Sequence, residues 1–380
     1  MWPYVVMIIT SCFLLRIAEF FYKKNRFISL IFFVFAITIP AFIAGARDSG
    51  IGTDMKVYGD YYFDLANSIS MKEFFILTDC ELGYGILMYL ISFFTSNYTY
   101  MYFFIEFIIL SLVLVSIVDY TGGKNIAFGM LIYYLLFYSY SLNLMRQCLA
   151  ISIVLYSFRY VRKNLLFKFL CFLLIATLFH KTSIICIIIY PIYQLFNTDV
   201  KKVKFTFKRY IIDFIREKKW VIIFIGLVIC LAIVINAREI ITLIRFKFND
   251  FHYQYNNMLN YNSTWIFRYS IYNVIILIVT LFSFNIKNED FQFYFVMMML
   301  NLILYELKAI SPEAYRLSLY YLAFVMLTLI KIISINRSNA KKIMVKVLVV
   351  LIFSMYSYDY FVLQEYNQIY PYKSQILNIN

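Results

Sequence analysis

The sequence predicts an all-α, polytopic integral membrane protein, on three grounds. Of its 380 residues, 63% are hydrophobic and 15% are charged, whereas soluble domains are about half apolar and about a quarter charged. Mean hydropathy is +0.75. A chain of this length cannot hide so much apolar side chain in one soluble core, and it is far too apolar to stay disordered. Apolar runs also recur that are long enough to cross a ~30 Å hydrocarbon layer, where a helix satisfies its own backbone. With five prolines and ten glycines there is no Pro- or Gly-rich linker, so 1–380 reads as a single polytopic membrane domain.

The apolar segments fall at 2–22, 27–46, 82–96, 98–118, 126–142, 148–161, 165–180, 182–196, 220–236, 265–284, 291–307, 314–333 and 343–358. The first lacks a preceding cationic region and a small-x-small cleavage site, so it reads as a retained helix and not a signal peptide. Basic clusters orient the rest. Lys23, Lys24 and Arg26 separate the first two segments, and Arg159, Arg162 and Lys163 follow the sixth. The loop 197–219 holds the heaviest cluster, from Lys201 to Lys219, and Arg337, Lys341, Lys342 and Lys346 precede the last segment. The positive-inside rule places all four clusters in the cytoplasm.

The loops 47–81 and 237–264, the turn at 308–314 and the tail 359–380 then lie outside. Three apolar segments separate 47–81 from Asn143–Gln147, which must also be outside, and that parity is wrong. The shortest, 82–96, reads as a re-entrant or interfacial helix whose backbone other protein covers. About twelve crossings result, with both termini outside. The stretch from the 47–54 loop to about residue 80 reads as an amphipathic helix lying on the membrane.

The formal charge of +14 is accounted for by these loops, so nucleic-acid binding is not expected. The aromatic load reads partly as interfacial belts and partly as AT-rich codon usage. All six cysteines lack a Cys-x-x-Cys spacing, and His180 and His252 are the two histidines. Neither a disulfide framework nor a metal site is predicted.

Polar residues gather at the outer ends: Arg47, Asp48, Asp54, Glu81, Arg146, His180 and Arg316. In RDSGIGTD, residues 47–54, Gly50 and Gly52 permit a turn exposing backbone N–H groups to an anion; the alternative is a surface loop with a self-paired Arg and Asp. In SLNLMRQCLA, residues 141–150, the spacing of Asn143, Arg146, Gln147 and Ala150 predicts one shared helix face. A guanidinium there matches phosphate oxygens, or it snorkels to the interface. In FHKTS, residues 179–183, His180 reads as a general base or as a polar turn residue. In SPEAYRLSLYY, residues 311–321, Pro312 starts a helix that carries Arg316 and Tyr320 four apart; a Glu313–Arg316 cap is the alternative. His252 sits in an Asn- and Tyr-rich outer stretch suited to sugar contacts. No P-loop, dinucleotide, kinase or metalloprotease motif occurs, which argues against ATP-driven chemistry.

The ordered motifs RDxGxGTD, ExGY (Glu81, Gly83, Tyr84), SLNxxRQxxA, FHKTS and Arg316-x-x-x-Tyr320, with a tail holding Tyr370, Pro371 and Tyr372, resemble the EpsG family. That family comprises Wzy-type polymerases of bacterial capsule, exopolysaccharide and O-antigen. The resemblance covers nearly the whole chain, with 197–310 similar only in character. It implies glycosyl transfer at the outer face of the bacterial cytoplasmic membrane, in which a growing glycan on undecaprenyl pyrophosphate moves onto a lipid-linked repeat unit. A pyrophosphate leaving group needs fixed cations, for which Arg47, Arg146 and Arg316 stand ready beside Asn143, Gln147 and Tyr320. Asp54, Glu81 or His180 would deprotonate the acceptor hydroxyl, with Asp54 favoured. Inverting displacement with no cofactor and no metal is the expectation by analogy. Implied partners are the lipid-linked glycans, membrane lipid, a chain-length regulator and a flippase. Two other readings stay open: an O-antigen-type ligase, differing in acceptor, and a lipid-linked oligosaccharide flippase, which would need cations through a central cavity.

Overall fold

A computed structural model of the protein describes residues 1–49, 51–197, 272, 275–276, 289–307, 312–335 and 338–379. Among these residues every regular element is helical and there is no strand. It forms two compact units, Met1–Ile187 with Leu329–Asn380, and Ile188–Thr328.

The first unit opens on a helical hairpin of α1 (Trp2–Phe21) and α2 (Arg26–Ala46). Asn25 caps α2, its Oδ1 accepting from the N–H groups of Phe27 and Ile28 at 3.0 and 3.1 Å, which satisfies donors that a helix start leaves open. Ser11 Oγ donates to the Ala36 carbonyl at 2.7 Å and Ser29 Oγ to Ala18 at 2.8 Å. These crossed pairs fix the antiparallel register. Ala36, Ala41, Ala44 and Ala46 of α2 are buried, small residues that let helix backbones approach inside a membrane. The closest approach is at Gly45, where a Cβ would stand 2.5 Å from the Thr99 carbonyl oxygen of α6.

The loop after α2 leads into a π-turn, Met55–Asp60, then α3 (Tyr61–Ser68) and α4 (Met71–Leu77). The single amphipathic helix expected up to about residue 80 is therefore broken. The cause is local: Ser70 and Glu73 form a capping box, the Ser70 side chain accepting from the Glu73 N–H and Glu73 accepting from the Ser70 N–H, so a new helix starts there. Next come α5 (Leu82–Ser92), α6 (Tyr98–Thr121), α7 (Ile126–Leu136), α8 (Tyr138–Asn143), α9 (Met145–Arg162) and α10 (Leu166–Phe179). A 3₁₀ turn at Lys181–Ile188 precedes α11 (Ile189–Asn197), which opens the second unit. That unit also holds α12 (Glu289–Glu306) and most of α13 (Pro312–Ile335), which begins at the proline the sequence marks. Last are α14 (Asn339–Ser357), a π-turn at Tyr358–Leu363 and a tail.

Five helices among the described residues are long and apolar enough to cross a membrane: Trp2–Phe21, Arg26–Ala46, Tyr98–Thr121, Tyr315–Ile335 and Asn339–Leu363. The count of about twelve is not reached among the described residues. The segment at 220–236, most of that at 265–284, the basic cluster from Lys201 to Lys219 and the outer loop 237–264 lie outside them. Others are shorter than their apolar runs. The 126–142 run divides at Phe137 into α7 and α8, and 182–196 divides between a 3₁₀ turn and α11. The 11 residues of α5 rise only ~17 Å, about half the hydrocarbon thickness, which is too short for a crossing by the 82–96 segment. Apolar runs record what is removed from water and not where a helix breaks.

Charge separates along the helices of the first unit. At one end Lys346 Nζ donates to Asn125 Oδ1 at 2.9 Å, the Asn125 N–H donates to Glu19 at 2.7 Å, and Arg162 pairs with Asp119 at 3.1 Å. Lys23, Lys24 and Arg26 stand at this same turn between α1 and α2. The opposite end gathers the 47–54 loop, Glu81, Asn143, Arg146 and His180. This packing predicts that Gly45→Val lowers thermal stability in detergent by about 1–3 kcal/mol, the usual cost of overpacking, because α2 must retreat from a backbone oxygen. Gly122→Asn, at a left-handed position (φ +61°) with no atom near a built Cβ, should leave melting unchanged, since Asn tolerates that conformation. Equal melting of the two variants would refute the close α2–α6 contact.

Candidate active site

The 47–54 loop is held from two sides. Gly52 has φ +109°, a conformation that favours glycine, and its N–H donates to the Gln368 carbonyl at 3.2 Å. The Asp48 N–H donates to the Lys373 carbonyl at 3.0 Å, the Gln375 N–H donates to Asp48 Oδ1 at 2.8 Å, and Tyr372 Oη donates to the Ile43 carbonyl at 3.0 Å. The C-terminal tail thus straps the loop onto the end of α2. From the other side Asn143 Oδ1 accepts from the Asp54 N–H at 2.9 Å, while its Nδ2 donates to Thr53 Oγ1 at 3.0 Å and to Asn367 Oδ1 at 3.1 Å. Asp54 itself is half-buried.

Arg47 turns inward. It is 5% exposed, donates through Nη1 to the Leu142 carbonyl at 2.7 Å and through Nη2 to Met55 Sδ at 3.4 Å, and lies 4.8 Å from the Tyr102 ring centroid. Tyr102 in turn donates to Asp60, whose carboxyl is pushed up by burial.

The second group is built on Glu81. Gly83 lets α5 lie against α10, since a Cβ there would stand 2.9 Å from the Leu178 carbonyl oxygen. Glu81, just before α5, is thereby brought to His180, which ends α10. His180 Nδ1 is 3.1 Å from Glu81 Oε1, and Arg146 pairs with Glu81 Oε2. The Arg146 guanidinium lies 3.9 Å from the Tyr58 ring centroid, with Tyr62 and Tyr84 at 5.8 and 5.9 Å. Side-chain exposures of 15% for Arg146, 8% for Glu81 and 16% for His180 make this a half-closed cluster of opposite charges. Burial, the largest effect on Glu81, opposes its ionisation. The hydrogen bond with His180 and the charge of Arg146 outweigh it and hold the carboxyl below the usual range. Burial pushes the neighbouring Cys80 thiol up to about 12, so it is no thiolate nucleophile near neutrality.

Asn143 and Arg146 do not share a helix face. Leu144 has φ −93° and ψ 50°, so α8 ends at Asn143 and α9 starts at Met145. Asn143 therefore meets the 53–54 loop while Arg146 meets Glu81. Gln147 is buried beside them. Arg316 and Tyr320 belong to the second unit, one turn apart on α13, half-buried and buried respectively. His252 lies outside the described residues. Sequence reasoning passed over Tyr58 and Asn367. Asn367 is 224 residues from Asn143 and carries no local signal.

A carboxyl held below its unfolded value contributes stability above about pH 4.3, and loses it as pH falls through the folded value. Wild-type protein should thus lose melting temperature more steeply than Glu81→Gln as pH falls below about 4.3, because the variant's amide does not titrate. At neutral pH the variant should be less stable by a few kcal/mol, because Arg146 is left buried without its partner. Parallel acid profiles for the two proteins would contradict the assignment.

Comparison with known proteins gives a match to the EpsG family over residues 30–374. No curated protein and no solved structure matches. The match covers most of the chain, includes Arg47, Asp54, Glu81, Asn143, Arg146 and His180, and agrees with the apolar helices of a membrane protein. This chain is a membrane protein of the EpsG family, a family of Wzy-type polysaccharide polymerase-like proteins.

Proposed function

We propose that the protein polymerises undecaprenyl-pyrophosphate-linked oligosaccharide repeats at the outer face of the bacterial cytoplasmic membrane, by metal-independent inverting glycosyl transfer. The observation that carries this reading is the Arg146–Glu81–His180 cluster beside the Asn143-held 52–54 loop, at the end of the helices opposite the basic loops. Positive-inside orientation then turns the cluster outward. Capsule, exopolysaccharide and O-antigen repeats all fit this chemistry.

One edge of the Arg146 guanidinium is bound by Glu81 and one face lies against Tyr58. The remaining N–H groups are thereby aimed in advance at a pyrophosphate oxygen, where charge develops as the glycosyl bond breaks. Arg47 holds the Leu142 carbonyl, so in this reading it positions α8 and does not touch the phosphate. Arg316, Tyr320 and Gln147 are proposed as further contacts to the glycan or its carrier.

Glu81 is a poor base, because its partners stabilise the carboxylate. His180, donating Nδ1–H to Glu81, would present Nε2 to the acceptor hydroxyl, with the carboxylate stabilising the imidazolium that forms. Asp54, on the loop, is the second candidate. The acceptor oxygen attacks the anomeric carbon, its proton passes to the base, and the lipid pyrophosphate departs toward Arg146.

A deletion strain should accumulate single-repeat glycans. Loss of a flippase would trap repeats facing the cytoplasm, and loss of a ligase would leave finished polymer on the carrier. In complementation, His180→Gln should cost ~10²–10⁴-fold in extension rate and Asp54→Asn much less. A normal ladder from His180→Gln with none from Asp54→Asn would move the base to Asp54. Arg146→Lys should fail despite its charge, since Lys offers no planar fork. Full-length polymer from the Lys variant would reduce Arg146 to a general positive charge.

A further inference from the structure

A cavity of about 350 Å³ lies between α1, α7, α8, α14 and the tail. Five of its polar lining side chains are occupied within the protein. Tyr4 Oη donates to the Ile369 carbonyl at 3.0 Å, Tyr138 Oη to Pro40 at 2.6 Å, and Ser357 Oγ to Phe353 at 2.8 Å. Tyr134 Oη and Ser11 Oγ are 2.8 Å apart, and Ser139 Oγ accepts from Asn367 at 3.2 Å. What faces the cavity is therefore mostly hydrocarbon and ring surface. Val5 and Ile9 of α1, 43% and 62% exposed, stand at its rim, so it opens toward the lipid and can be entered from the bilayer.

Its wall is continuous with the candidate site. Ser139 bonds Asn367, Asn367 bonds Asn143, and Asn143 holds Thr53 and Asp54. Arg146 follows seven residues beyond Ser139, past the break at Leu144 and in the first turn of α9. We propose that this cavity holds the isoprenoid chain of the polyprenyl carrier, next to the pyrophosphate it bears, an assignment that rests on the lipid-linked substrate proposed above. The volume is near the lower limit of ligand pockets, ~300–1,000 Å³, room for a few isoprene units of one chain. A diacyl phospholipid brings two chains and a headgroup with no reason to stop beside α8. A single-chain carrier fits both the volume and the hydrogen-bonded link from the cavity wall to the Asp54 loop.

The test uses full-length protein in nanodiscs and a diazirine-bearing polyprenyl monophosphate. Photolabel should map to α1 and α14, and ~tenfold excess unlabelled polyprenyl monophosphate should cut it ~tenfold, as competition for one site requires. Val350→Trp, which fills the cavity, should abolish labelling, while Val350→Ala retains it. Should Val350→Trp fail to fold, competition on the wild type decides. Label elsewhere in the chain, equal competition by diacyl phospholipid, or undiminished labelling of folded Val350→Trp would overturn the assignment. Labelling needs no turnover. An inactive protein that still labels here sinks only the polymerase reading, and a polymerase that does not label here sinks only the cavity.

Discussion

Glu81 joins through one carboxylate three stretches of chain, the start of α5, the start of α9 and the end of α10. It is 8% exposed, and a carboxylate so placed is costly unless charge and hydrogen bonds answer it. Arg146 answers on one oxygen and His180 on the other. The two partners come from α9 and from the end of α10, and neither could sit beside apolar helices without the carboxylate. Desolvation thus acts as a positioning force: each group is tolerable only where the other two are. The glycine at 83 makes the arrangement possible by removing the methyl that would push α5 off the Leu178 carbonyl.

A second set of contacts places the loop against that cluster. The broken helix at Leu144 sends Asn143 and Arg146 in different directions, so one short segment serves two purposes. Arg47 secures the Leu142 carbonyl from below, Asn143 holds the loop at Asp54 and Thr53, and Asn367 from the tail bonds Asn143. Because backbone N–H and carbonyl groups do most of the strapping between 48–52 and 368–375, the tail can hold the loop with little dependence on its own side chains. In the first unit the same end of the helices carries the apolar cavity, and the opposite end carries the lysines and arginines that orient membrane proteins.

The sequence alone determined that this is a helical membrane protein, because apolar content and run length are sums over residues and do not depend on who touches whom. It also determined the polar residues worth watching, and the order of motifs that leads to the EpsG family. Glu81 before a short helix and His180 after one were legible as helix ends. Element breaks were less legible: the Ser70–Glu73 capping box is written in the sequence but is read only when a break is sought there, and nothing near Leu144 announces a kink. Tertiary structure alone decided the partnerships. That Arg146 belongs with Glu81 and His180, that Arg47 serves a carbonyl, and that Asn367 reaches Asn143 are contacts between residues 65 to 224 positions apart. Such pairings follow from which helices pack together, and a local pattern carries no record of them.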